Sequence, residues 1–184
     1  MKIVIISVHS LALNYLRDSF DDSQLKRVTL ITDKLTHDIK EFLKIKKIKY
    51  LVTKNLTLKT LEKINFKNSL ILSAGSPWIF SEKIINKFGK HFYNVHQSPL
   101  PSMRGSVISY IIMYEIRSFQ VCLHKVTTGI DSGKIIYRKN IFIPSILKTP
   151  LEVNNFLQSE NRQMLKEFII KFDRKLKLNE EVQN

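Results

Sequence analysis

Apolar runs alternate with amphipathic stretches from the first residue of this chain to about residue 172. Short β-branched and leucine-rich runs predict strands at residues 2–7, 27–32, 49–52, 69–73, 92–96, 120–125 and 135–143. Between them, apolar residues recur at three- and four-residue spacing, which predicts helices over 11–20, 36–45, 58–64, 81–88 and 106–116. A last long helix has a marked start: Thr149-Pro150-Leu151-Glu152 joins a capping box to a proline at the first helical position, and the pattern continues to about residue 172. Strands alternating with helices predict an α/β domain with a mainly parallel sheet. Residues 173–184 are polar and charged and are expected to fray or be disordered.

Composition bounds the classes. The 184 residues suit one domain, read as residues 1–172 plus the tail, without an internal repeat, low-complexity segment or linker. With 43% hydrophobic and 25% charged residues the chain is ordinary globular material. The opening run Met1-Lys2-Ile3-Val4-Ile5-Ile6-Ser7 is too short for the core of a signal peptide, and no stretch approaches the ~20 apolar residues of a membrane span. A single cysteine, Cys122, excludes an internal disulfide and suits a reducing, cytoplasmic compartment. The net charge of +14 raises nucleic-acid binding, yet the lysines are spread thinly, and those of residues 40–54 alternate with Ile, Leu and Phe as on a solvated face. The charge reads either as exposed lysine-rich helices or as a field attracting an anionic small substrate, and nucleic acid is disfavoured.

The chemistry is concentrated in two stretches. The first runs Tyr93-Asn94-Val95-His96-Gln97-Ser98-Pro99-Leu100-Pro101-Ser102-Met103-Arg104-Gly105. On a strand, Asn94 and His96 project from one face roughly 6.6 Å apart, a neutral donor beside a titratable imidazole. The second, Thr128-Gly129-Ile130-Asp131-Ser132-Gly133, sets a carboxylate between two glycines. Amide, imidazole and carboxylate suffice for acyl transfer to an amine. His91 and His96 together suggest a metal pair, but no cysteine or carboxylate at ligand spacing supports zinc, so no metal is expected.

In their order and spacing these motifs, Asn-x-His, Ser-x-Leu-Pro-x-x-Arg-Gly and Gly-Ile-Asp-x-Gly, resemble the catalytic domain of the 10-formyltetrahydrofolate-dependent formyltransferases. The similarity extends to the first strand, to residues 70–80 and to Ile141-Phe142-Ile143-Pro144. The resemblance implies a Rossmann-like domain, a mainly parallel twisted sheet with helices on both faces. It implies that Asn94 donates to the tetrahedral oxyanion, that His96 either assists the oxyanion while protonated or shuttles a proton, and that Asp131 orients the imidazole and receives the proton. It places the folate pterin of the co-substrate, 10-formyltetrahydrofolate, between Trp78, Ile79 and Phe80 and the loop of Thr127, Thr128, Gly129 and Ile130. Trp78 and Phe80 also have a plain reading as core. Arg104 either pairs with a substrate phosphate or caps the preceding loop. His9, His37, His91 and His124 match no catalytic position of the family and read as structural; His9 lies in the first strand-to-helix loop and joins Ser10 and Arg104 as a candidate substrate contact.

Residues 7–11, Ser7-Val8-His9-Ser10-Leu11, lack the glycines with which glycinamide ribonucleotide formyltransferases cradle a phosphate, and the chain has no length for the second domain of methionyl-tRNA members. Most similar are the sugar-nucleotide N-formyltransferases of surface polysaccharide synthesis, which implies a nucleotide-linked amino-deoxy sugar as substrate, here a dTDP-4-amino-4,6-dideoxyhexose. Those enzymes often carry further C-terminal structure, so the chain is either a minimal member or part of a longer protein. A homodimer is compatible with the sequence. The alternatives are another amine, on methionyl-tRNA or glycinamide ribonucleotide, or an inactive nucleic-acid- or partner-binding module on the same fold.

Overall fold

The computed structural model describes residues 1–105 and 116–183. The helix expected over 106–116 lies, but for its last residue, outside the described residues. Two compact units divide the chain, Met1–Asn94 and Val95–Asn184. Strand order across the sheet is β3-β2-β1-β4-β5-β6-β7.

The first unit is built from β1 (Lys2–Ile6), α1 (His9–Ser19), α2 (Asp22–Leu25), β2 (Val28–Thr32), α3 (His37–Lys46), β3 (Lys49–Val52), α4 (Leu58–Leu61), β4 (Ser69–Ala74) and α5 (Glu82–Phe88). Strand β1 pairs in parallel with β2 and β4, and β2 in parallel with β3. Ile3, Ile5, Ile6, Leu30, Ile31, Ile71 and Leu72 are wholly buried, which is why these runs are continuously apolar instead of alternating. Helix α1 packs on α3 and β2, and α4 on α5. The short α2 was not expected from the sequence; Asp21 and Gln24 form a capping box in which Asp21 Oδ1 accepts from Gln24 N at 2.8 Å. Strand β5 (Phe92–His96) carries the chain from the first unit into the second.

In the second unit β6 (Ser118–Lys125) and β7 (Ile135–Phe142) pair antiparallel. Their register slips between Leu123 and His124, from Tyr137 to Ile135, a bulge at the strand ends next to the site. Helix α6 (Pro150–Asp173) packs on β6 and β7 through Val153, Leu157, Met164, Leu165, Phe168 and Ile169, each wholly buried and at helical spacing. Burying one such side chain stabilises by about 1.5–3 kcal/mol. The helix opens as its sequence requires: Thr149 N donates to Glu152 Oε2 at 2.9 Å and Glu152 N to Thr149 Oγ1 at 3.3 Å. Among the described residues no helix is long and apolar enough to cross a membrane.

Candidate active site

Strand β5 ends on His96, and alternation along it sets Asn94 on the same face as the imidazole. The chain then turns through a cis Leu100–Pro101 peptide. This turn brings Met103 O to 2.9 Å from His96 Nε2, and Ser98 Oγ lies 2.5 Å from both atoms. Ser98 is fully buried, and its hydroxyl donates to the Met103 carbonyl. His96 is thus fixed on one side by the loop that follows it. Its Nδ1 faces the other way, 3.5 Å from Asp131 Oδ2.

Asp131 sits on the turn between β6 and β7 in the left-handed region, with φ of 48°. Aspartate tolerates this conformation better than most residues. Two residues on, a Cβ at Gly133 would collide with the Lys125 carbonyl, so only glycine lets the turn close onto the end of β6. The carboxylate is held from three directions. Oδ2 accepts from Gly105 N at 3.1 Å and faces His96; Oδ1 lies 3.3 Å from His124 Nε2. Burial alone would raise the Asp131 pKa, but the bond from His124, the charge of His96 and the Gly105 N–H outweigh it and bring the value down to about 2. For His96, burial dominates and pulls the imidazole below its ordinary value, against the opposing pull of Asp131 and the Met103 carbonyl. The side chains of His96, Asp131 and His124 are 8%, 14% and 3% exposed. The pair therefore combines a firmly ionised carboxylate with an imidazole that gives up its proton readily.

His124, read from the sequence as structural, stands against the candidate carboxylate. Its Nδ1 bonds the Lys125 carbonyl at 2.8 Å and its Nε2 reaches the carboxylate, so the ring bridges the end of β6 to Asp131. The available signal was its place on the strand that feeds the Asp131 turn. Ser98, within the same motif, braces His96 and carries no sequence signal of that role. Among the described residues no group of three or more His, Cys, Asp or Glu is arranged to hold a metal ion.

The other candidates divide. Phe80 stacks edge-on against Phe92 at 4.8 Å and Phe88 at 6.2 Å, so its core reading fits these contacts. Trp78 is half-buried; its indole donates to the Lys54 carbonyl at 3.0 Å, while Ile79 beside it is 87% exposed. Thr127, Thr128, Gly129 and Ile130 form an exposed turn, with Thr127 Oγ1 3.0 Å from Ser132 Oγ. The His9 imidazole is engaged by Asp33, Nδ1 to Oδ2 at 2.9 Å, and its backbone N–H by Oδ1 at 2.8 Å, while Ser10 is exposed. Arg104 is exposed, and its Nη2 donates to Gln183 Oε1 at 3.0 Å.

Neither models of protein families nor curated protein sequences match the chain. Solved structures do. An N-formyltransferase from Helicobacter canadensis, in complex with folinic acid and dTDP-3-aminofucose, is similar with a TM-score of 0.75 and 21% identity, over 100% of this chain and 68% of that one. The sugar 3N-formyltransferase WlaRD, solved in the presence of dTDP and 5-N-formyl-THF, gives 0.75 and 21%, over 100% of this chain and 66% of that one. A phosphoribosylglycinamide formyltransferase from Anaplasma phagocytophilum gives 0.77 and 18%, over 94% and 86%. The chain has the fold of these proteins and spans about two thirds of the length of the first two.

Proposed function

We propose that this protein is a formyltransferase that moves the formyl group of 10-formyltetrahydrofolate to the amine of a nucleotide-linked amino-deoxy sugar. The observation that carries the reading is the Asp131 carboxylate, low in pKa and held between His96 and His124. Asn94, His96 and Asp131 are the positions at which the motifs match.

The substrate amine attacks the formyl carbon, and the carbonyl oxygen takes up the electron pair as a tetrahedral oxyanion. The Asn94 amide donates to that oxygen without titrating, and His96, an imidazole that gives up its proton readily, shuttles a proton at the site. Asp131, ionised throughout the neutral range, receives the amine proton directly or through a water. Collapse of the oxyanion breaks the bond from carbon to N10 of the folate. N10 takes a proton, and tetrahydrofolate and the formamide leave.

Two of the solved structures of this fold are described with dTDP or a dTDP-linked amino sugar and with formylated folates. The loop of residues 7–11 contains no glycine for a backbone phosphate cradle, which disfavours glycinamide ribonucleotide although enzymes for that substrate share the fold equally well. Trp78, Ile79, Phe80 and the turn of residues 127–130 are the proposed pterin contacts, and Arg104, His9 and Ser10 the proposed sugar-nucleotide contacts. The sequence alone pointed to a 4-amino sugar; the amine of dTDP-3-aminofucose sits one carbon away, and both positions belong in the test. Incubation with 10-formyltetrahydrofolate and a panel of dTDP-3-amino- and dTDP-4-amino-dideoxyhexoses, glycinamide ribonucleotide and methionyl-tRNA is read by mass for a product heavier by one formyl group. Turnover of a sugar nucleotide alone is expected; robust formylation of methionyl-tRNA or glycinamide ribonucleotide instead would overturn the substrate assignment.

A further inference from the structure

Beyond α6 the chain returns to the Asp131 turn and its flanking strands, bound there through Glu180, Glu181 and Gln183. Glu181 pairs antiparallel with Ile135, each N–H donating to the other's carbonyl at 2.8 Å. The Glu181 carboxylate takes two bonds from Arg138, at 2.9 Å from Nε and 2.7 Å from Nη2. The remaining guanidinium nitrogen, Nη1, donates to the Leu100 carbonyl at 2.7 Å, within the loop that follows His96. Glu180 accepts from Lys125 at 2.5 Å and Lys134 at 3.1 Å, the residues on either side of the turn.

At the end of this segment the Gln183 amide uses all its bonding capacity on the candidate site. Its NH2 group donates to the carbonyls of Asp131 at 2.9 Å and Gly133 at 2.7 Å, and its oxygen accepts from Arg104 Nη2 at 3.0 Å. The residue after Arg104, Gly105, donates its own N–H to Asp131 Oδ2. Gln183 is therefore joined to Asp131 twice, directly through the backbone carbonyl and indirectly through Arg104, Gly105 and the carboxylate.

We infer that Gln183 is a positioning residue: its amide fastens the residue 131–133 turn and the Arg104–Gly105 corner together, and so aims the Asp131 carboxylate at His96. Such a brace is needed because a non-glycine residue at positive φ costs on the order of 1 kcal/mol, and the turn is otherwise exposed from Thr127 to Ile130. Two donors from one planar amide to two carbonyls of the turn fix its peptide planes, and with them the direction of the side chain. A charged side chain would serve less well, since Arg104 requires an acceptor while the two carbonyls require donors. Only an amide offers both.

The catalytic consequence rests on the proposed formyl-transfer reading, but the geometry does not, so the test has two arms. Gln183→Met keeps the length and loses the amide; Gln183→Ala removes both. In the protein without substrate, the His96 imidazole is titrated by NMR. The charges that act on it are Asp131 and His124, and Asp131 raises its pKa. In both variants the His96 titration moves to lower pH, since the carboxylate is no longer held against it, while the fold, read by backbone spectra, is retained. In the second arm kcat for formyl transfer falls about ten-fold with little change in KM for the folate, the scale expected when the bonds that aim the carboxylate, two to the turn carbonyls and one from Arg104, are lost. An unmoved His96 titration in both folded variants overturns the inference, whatever the activity. A shifted titration in a protein without formyltransferase activity upholds the brace and defeats the functional reading instead.

Discussion

His124 Nε2 stands 3.3 Å from Asp131 Oδ1, on the opposite side of the carboxylate from His96. One carboxylate is thereby shared by two imidazoles, one at the end of β5 and one near the end of β6. Replacing His124 by Asn removes the leading cause of the low Asp131 pKa. The acid limb of the rate profile should then move to higher pH and kcat fall roughly ten-fold, since a bond to a charged group contributes about 1.5–3 kcal/mol. A profile superimposable on that of the unmodified protein would return His124 to a purely structural role.

Ser98 donates to the Met103 carbonyl and touches His96 Nε2 from a fully buried position. Ser98→Ala leaves the ring and the carbonyl facing each other without the hydroxyl. It should destabilise the fold by about 1 kcal/mol in denaturant titration and lower kcat more than KM.

Acid should weaken the fold through Asp131. Its pKa in the folded protein, about 2, lies below the value near 3.8 expected when unfolded. The stabilisation is therefore complete above about pH 4 and is lost as the pH falls toward 2; it amounts to about 2 kcal/mol. Asp131→Asn should flatten that part of the curve of stability against pH. His96 acts in a higher range: its folded value is depressed, so the unfolded chain binds the proton more tightly, and stability declines as the pH drops below about 6.5.

Gly133→Ala should collide with the Lys125 carbonyl and force the turn away from β6. A loss of about 1–3 kcal/mol in stability is expected, together with activity reduced beyond the change in folded fraction.

Local chemistry explains how much of this was legible. The buried strands announced themselves because a parallel sheet covered on both faces needs unbroken apolar runs, as in Ile3 to Ile6 and Leu70 to Leu72. The start of α6 was legible because its cap is a four-residue signal complete in itself. His124 was not, because a histidine in a strand looks the same whether it faces a core or a carboxylate; the partner depends on the bulge at Leu123 and His124 and on the closure of the turn at Gly133. The segment at Glu180 to Gln183 was opaque for the same reason. Its polar residues suggest fraying when read alone, and their partners Arg138, Lys125, Lys134 and Arg104 lie far away in sequence. Phe80 reads equally as core or as cofactor contact, because an aromatic residue after a strand suits either; its ring packs on Phe88 and Phe92 and is still only half-buried.

The central claim is that Asn94, His96 and Asp131 act as one unit in formyl transfer. Single-turnover transfer from 10-formyltetrahydrofolate to the amino-sugar nucleotide, measured for His96→Asn, Asp131→Asn and the double variant, tests it most directly. Each single change should slow transfer by roughly 10²–10⁴-fold, and the double change should cost little more than the worse single one. Near-normal transfer in either single variant would contradict the account, as would fully multiplicative losses in the double.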